Sequence, residues 1–109
     1  MKVFNINYDN EERAVKWIET ACSVMGVDLP SISQSSPICV VFEWKDLPKN
    51  HVLVGTVIWL YMNRRGAHIA IGSDGLWSTW LEPCAFADAH WSVVATIVDH
   101  RDLLKRQKP

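Results

Sequence analysis

The sequence lacks a long hydrophobic run, a cysteine framework and any marked excess of charge. The longest apolar run spans 11 residues, 52–62, whereas a membrane helix needs about 20. Three cysteines without a CxxC pair are not typical of a secreted disulfide scaffold. The net charge of −1 leaves no basic footprint for nucleic acid at the level of the whole chain. The first residues also lack the apolar core of a signal peptide, so we expect a cytoplasmic protein without a membrane or nucleic-acid partner.

Length and composition indicate one globular domain. The chain has 109 residues, of which 49% are hydrophobic and 21% are charged. A chain of this size buries roughly two thirds of its unfolded surface, which is enough for a core without disulfides. The sequence therefore predicts a single folded domain over residues 1–109, with a basic tail at 101–109.

The hydrophobic pattern predicts an α+β fold with the element order β-α-β-β-β-β-β. Short connections favour a twisted antiparallel sheet of five to six strands, with one main helix packed on one face. The pattern also allows a short C-terminal helix, and residues 27–37 are predicted to be a loop. The predicted helix covers residues 10–25, with Asp9 and Glu12 as its capping box and Gly26 as its stop. The predicted strands are 3–8, 38–44, 52–62, 67–72, 76–81 and 91–98.

Asp74 and Gly75 are the sharpest local signal in the chain. Asp-Gly between two apolar runs is typical of a type I′ turn in a two-residue hairpin loop. If these residues form the turn, Trp77 lies across from Gly72, where an indole ring can cover a strand glycine. The turn thus predicts the register of two neighbouring strands.

The predicted sheet has more apolar surface than one helix can cover. In the stretch 52–62 neither alternate set of side chains is polar, which favours a central strand covered on both faces. A helix of 16 residues is about 24 Å long and about 10 Å across, so it covers two or three strands. The uncovered face presents either Val57, Trp59 and Tyr61 or their even-numbered neighbours. Either the sheet coils into a half-barrel and buries its own concave side, or the remaining surface binds a partner, which is the hypothesis that we prefer.

We expect Trp17 on the helix flank and Trp77 or Trp80 on an outer strand to be exposed. These three are the predicted aromatic anchors, and Arg64 and Arg65 are predicted to belong to the polar rim.

Residues 66–75, with the sequence GAHIAIGSDG, are similar to the histidine strand of NlpC/P60 and CHAP-type cysteine peptidases. That resemblance implies that His68 is a catalytic base. In those enzymes the nucleophile lies at a helix N-terminus, where the dipole lowers the thiol pKa. Cys22 is predicted near the end of a helix and Cys39 within a strand. A cysteine hydrolase that uses His68 is therefore the alternative to a binding protein.

Other chemistry has little support in the residue pattern. Asp88 with His90, and Asp99 with His100, come nearest to a metal site, but neither pair matches a ligand spacing with a second pair. We predict no metal and no cofactor. The preferred hypothesis is a small inhibitory protein, not an enzyme, that occludes a partner protein such as a bacterial toxin or a defence complex. Immunity proteins and phage counter-defence (anti-CRISPR-like) proteins belong to this class, and a structural homodimer is a further alternative.

Overall fold

The computed structural model describes residues 6–63, 66–80 and 86–107, and side chains within 10–62, 66–80 and 89–107. The elements in chain order are α1 (Ile6–Met25), β1 (Ser31–Ser35), β2 (Cys39–Glu43), β3 (Val57–Asn63), β4 (Gly66–Ser73), β5 (Leu76–Trp80) and α2 (Phe86–Gln107). The strands form one antiparallel sheet of five strands in the order β1-β2-β3-β4-β5. The predicted α+β class and antiparallel sheet are confirmed, but the observed element order is α-β-β-β-β-β-α.

The first helix begins earlier than predicted. The described chain is already helical at Ile6, so the predicted strand over 3–8 is wrong from that residue on, and its first residues lie outside the described part. Asp9 consequently lies within α1, and the predicted capping box is also wrong. Ala14, Ile18 and Ala21, which recur in the sequence at the spacing of one helix face, are buried. Amphipathic spacing thus located the helix face better than it located the helix start.

The end of α1 follows the prediction. Gly26 has a positive φ of 68°, a conformation that glycine adopts without strain. Its N–H donates to the carbonyl oxygen of Ser23 (3.3 Å), and the N–H of Val27 donates to that of Cys22 (3.1 Å). These two bonds form a Schellman motif, which satisfies carbonyl groups that the helix would otherwise leave unpaired.

Residues that were predicted to be a loop contain the edge strand β1. Ser31–Ser35 pairs with β2, and a bulge interrupts the register between Ile32 and Gln34. Most of its residues are polar and exposed, so it has no hydrophobic alternation to reveal it. Pairing with β2, a long-range effect, selects the extended conformation here.

The predicted strand over 52–62 is shorter in the structure. Its first residues form turns, with Gly55 at a φ of 79° and the N–H of Thr56 bonded to the carbonyl oxygen of Leu53 (3.0 Å). Leu53 is buried although it lies in a turn, which explains why the apolar run looked continuous. The remaining part, β3, is central as predicted, because it pairs with β2 and β4.

The predicted strand over 91–98 is wrong, because this segment is the middle of α2. Trp91, Val93, Ala95 and Ile97 alternate in sequence, yet only Val93 and Ile97 are buried, whereas Trp91 and Ala95 are exposed. Burial that recurs every four residues is helical periodicity. The predicted short C-terminal helix and the start of the predicted tail, up to Gln107, belong to the same helix.

Both helices pack on one face of the sheet, here called the inner face. Helix α2 lies over β4 and β5, α1 contacts β2, and the two helices contact each other. The side chains beneath them on the three central strands are buried: Val40, Phe42, Ile58, Leu60, Met62, Ala67, Ile69 and Ile71. The prediction that the central strand is covered on both faces is therefore wrong for the described elements, since no helix packs on the opposite face.

The β4–β5 hairpin has the predicted turn and register. Asp74 and Gly75 have φ angles of 48° and 83°, as a type I′ turn requires. Trp77 pairs with Gly72, and a Cβ atom placed on Gly72 would lie 2.7 Å from the indole ring. The ring of Trp77 therefore rests directly on the glycine backbone.

We predict that Gly72→Ala destabilises the fold by about 1–3 kcal/mol, because the added methyl group pushes against the ring of Trp77. In a Trp77→Ala background the same change should cost little or stabilise the strand, because the obstacle is gone and alanine loses less backbone entropy than glycine. Urea unfolding of the two single variants and the double variant measures this coupling. An equal cost of Gly72→Ala in both backgrounds would show that the ring does not rest on Gly72.

Candidate functional site

The face of the sheet opposite the helices is the candidate site, and we call it the open face. Alternation and cross-strand register assign its members. They are Ser31, Gln34, Cys39, Val41, Glu43, Val57, Trp59, Tyr61, His68, Ala70, Gly72, Trp77 and Thr79. Among the described elements, none covers these side chains, and Glu43 is the only acidic or strongly basic residue in the set.

Two aromatic pairs lie on the open face. The rings of Trp59 and Trp77 have centroids 5.0 Å apart and are tilted by 34°. The rings of Tyr61 and His68, which are cross-strand neighbours, have centroids 4.9 Å apart and are tilted by 30°. Offset ring pairs of this kind stabilise a fixed arrangement beyond the surface they bury. The open face is therefore a preorganised aromatic surface on strands β3, β4 and β5.

The predicted contact residues have different positions. Trp77 is 54% exposed on the open face, as expected, and Trp80 lies on the inner face, where it packs partly buried against the core. Trp17 is only 4% exposed, so the expectation of an exposed Trp17 is wrong, and its ring contacts that of His90 edge to face. Arg64 and Arg65 lie outside the described residues. The binding roles of these five residues stay predictions.

The sequence left open whether Val57, Trp59 and Tyr61 or their even-numbered neighbours form the uncovered face, and it did not assign His68 to that face. The signal was available in part, because the predicted register of β4 against β5 already put Trp77 over Gly72. Extending that register by one strand puts Gly72 opposite Val57 and therefore puts Trp59 and Tyr61 on the same face as Trp77. What the pattern did not reveal was that the helices would cover the other face.

The hydrolase alternative requires an activated thiol near His68. Burial, together with the carboxylates of Asp28 and Glu19, raises the pKa of the Cys22 thiol to about 11, and burial also raises the pKa of Cys39. Cys39 and His68 are on the same face, but Tyr61 on the strand between them pairs with both. Neither described thiol is therefore activated, and Cys84 lies outside the described residues.

Residues 6–63, 66–80 and 86–107 contain no set of side chains that could bind a metal ion. No three His, Cys, Asp or Glu side chains of these ranges converge in a way that could hold an ion. His90, one of the predicted nearest approaches, has its ring against Trp17 and Trp91. His100, the other, is engaged in the core. In the same part of the chain, neither helix is apolar enough over a sufficient length to cross a bilayer.

A buried polar network joins α2 to the β4–β5 hairpin. His100 is fully buried, and its ring nitrogens Nε2 and Nδ1 lie 3.0 Å from Ser73 Oγ and 2.7 Å from Ser78 Oγ. Ser73 Oγ is also 2.7 Å from Thr56 Oγ1. Hydroxyl groups can donate or accept, so they satisfy both nitrogens of a neutral imidazole. Burial lowers the pKa of His100, so the neutral ring is favoured more in the folded state than in the unfolded chain.

We compared the chain with models of protein families, with curated proteins and with solved structures. No family model, curated protein or solved structure matches it.

We predict that stability decreases as the pH falls below about 6.5, the usual pKa of histidine in an unfolded chain. Below that pH the unfolded state binds a proton at His100 that the folded state does not bind until its lower pKa is reached. The contribution is fully present above pH 6.5, and its loss has a slope of up to about 1.4 kcal/mol per pH unit. Urea unfolding between pH 5 and 8 measures it.

Two variants separate this effect from other acid-sensitive groups. Ser78→Ala removes one partner of His100 and should lower stability at every pH while the slope remains. His100→Gln has no group that titrates in this range, so the slope should flatten. An unchanged slope in His100→Gln would assign the pH dependence to other residues.

We also predict that Cys22 reacts slowly with iodoacetamide at pH 8 in a Cys84→Ser variant. A pKa of about 11 leaves about 100-fold less thiolate than the ordinary value of 9 would. Mass spectrometry of the digested protein reports labelling at each cysteine, and the same reaction in denaturant provides the unhindered rate. Fast labelling of Cys22 or Cys39 in the folded protein would favour the cysteine hydrolase.

Proposed function

We propose that this chain is a protein-binding module that acts by occlusion: its open face docks on a partner protein and covers that partner's working surface. The observation that carries the proposal is the exposure of Trp77, 54%, on a face where it stacks with Trp59. A tryptophan held in place by a neighbouring ring loses little conformational freedom on binding. Such residues dominate the binding energy of many protein interfaces.

The magnitude of this contribution is sufficient for a hot spot. Covering the exposed half of an indole ring removes about 100 Å² of apolar surface, which is worth about 2–3 kcal/mol. Tyr61 is 36% exposed and adds a ring with a hydroxyl group that can bond to a partner. These two aromatic residues supply the anchors that an interface needs.

The charge distribution of the open face also suits docking. Glu43 is the only carboxylate among the described residues of the face, it lies at one end, and Lys45 Nζ is 3.7 Å from its Oε2. A partner therefore buries no unpaired charge at the centre of the face. The polar rim would also include Arg64 and Arg65, as the sequence predicts, in the segment between β3 and β4.

We also propose that the chain is not an enzyme. The raised pKa values of Cys22 and Cys39 and the contact of His68 with Tyr61 support a binding role over a cysteine hydrolase. By analogy of size and class, the partner would be a toxin or a defence complex in the cytoplasm, as for immunity proteins and phage inhibitors.

The test is a comparison of two tryptophan variants in capture of partners from the native cell. Trp77→Ala removes the anchor on the open face, whereas Trp91→Ala removes a tryptophan on α2 that is more exposed than Trp77, at 65%. We expect Trp77→Ala to weaken capture of the same partner by about 10-fold or more, while Trp91→Ala captures it like the wild type. Thermal unfolding checks that both variants are folded.

Hydrogen exchange of the captured complex locates the contact. We expect protection of the backbone amides of β3, β4 and β5 around Trp59, Tyr61 and Trp77. Protection confined to α1 and α2, or equal loss of capture in both tryptophan variants, would refute the open face as the binding surface.

A further inference from the structure

An exposed apolar aromatic face makes a chain prone to association when no partner is bound to it. Exposed patches of this kind promote association, because water favours any contact that covers them. The exposed ring of Trp77 and the ring of Tyr61 lie on the same face. Either a second surface covers these two rings, or the rings remain in contact with water in the free chain.

We infer that the open face of the free chain is covered by a second copy of the same chain, in a weak two-fold dimer that the partner displaces. The inference rests on the proposed function, since both use the same face. The dimer has four layers, with the helices of each copy outside and the two sheets facing each other about 10 Å apart.

The distribution of large and small side chains makes the face complementary to itself. The large rings lie on β3 and its β4–β5 side, while β1 and β2 present smaller side chains such as Gln34, Cys39 and Val41. A two-fold axis parallel to β3, the middle strand of the five, puts β4 and β5 of one copy over β2 and β1 of the other. The indole ring of Trp77 thus lies over Ser31 and Glu43 of the second copy, which occupy the same level along the strands, and not over another indole ring.

The same axis keeps like charges apart. Glu43 is on β2, so it faces β4 and the ring of Trp77 in the second copy and does not face the other Glu43. Its own cation, Lys45, accompanies it. The residues of β3 are the exception, because each of them faces its own copy across the axis.

The area of the face sets the strength of the dimer. Five strands about 4.8 Å apart and about 20 Å long give a footprint of about 500 Å² per copy. The two copies together bury about 1,000 Å², which is at the lower limit of specific interfaces and well below an obligate dimer. The dimer is therefore reversible, and a partner with a larger contact can replace the second copy.

Val57→Lys is the sharpest test. Val57 lies on β3, so two ammonium groups would face each other in the dimer, whereas in the monomer the new lysine lies beside its cross-strand neighbour Glu43, a favourable pair. Val24→Lys is the matched control, because Val24 is 60% exposed on α1. Sedimentation equilibrium of the wild type and both variants from about 1 µM to about 1 mM covers the range of weak dimers.

We expect concentration-dependent dimerisation of the wild type and of Val24→Lys, and a dissociation constant at least 10-fold higher for Val57→Lys. A wild type that stays monomeric up to the highest concentration overturns the inference. So does a dimer that Val57→Lys leaves intact. In either case partner capture still tests the proposed function by itself, and a dimer that forms while capture fails would refute only the proposed function.

Discussion

The alternation of side chains along β5 is the constraint on which the rest of the molecule depends. The Asp74–Gly75 turn sets the register of this strand against β4. Trp77 consequently points to the open face, whereas Ser78 and Trp80 point to the inner face. A slip of one residue would exchange the two tryptophans and remove Ser78 from His100. One two-residue turn thus determines both the aromatic surface and the polar network in the core.

The features that could be predicted from the sequence are those set by short-range chemistry. The Asp-Gly turn, the cover of Gly72 by Trp77 and the glycine at the end of α1 each depend on a few adjacent residues. Helix α2, by contrast, depends on more than a few adjacent residues. Val93 and Ile97 fit a strand by alternation and a helix by their spacing of four, and their β-branched side chains favour the strand. Packing of the segment over β4 and β5 decides in favour of the helix, and that contact is invisible locally.

The sequence predicts an uncovered apolar face of the sheet but leaves open which of the two alternate sets of side chains forms it. The expectation of too much apolar surface was derived from one covering helix, whereas two helices are present and both lie on the same face. The deficit of cover therefore falls on a single face, the one that carries Trp59, Tyr61 and Trp77. Trp17 was misplaced for the same reason: it is at the flank of α1, where contact with α2 buries it. Its burial depends on a second helix that the alternation pattern concealed.

The positions of the two helices have a consequence for how the chain folds. Each strand pairs with the next along the chain, so the sheet can grow one hairpin at a time through contacts of short sequence separation. Helices α1 and α2, by contrast, come from opposite ends of the described chain and still pack against each other. Their contact closes the longest loop among the described elements, and the entropic cost of closing a loop grows only slowly with its length. The meander is thus built from contacts of short sequence separation, whereas the packing of the two helices requires the two ends of the described chain to meet.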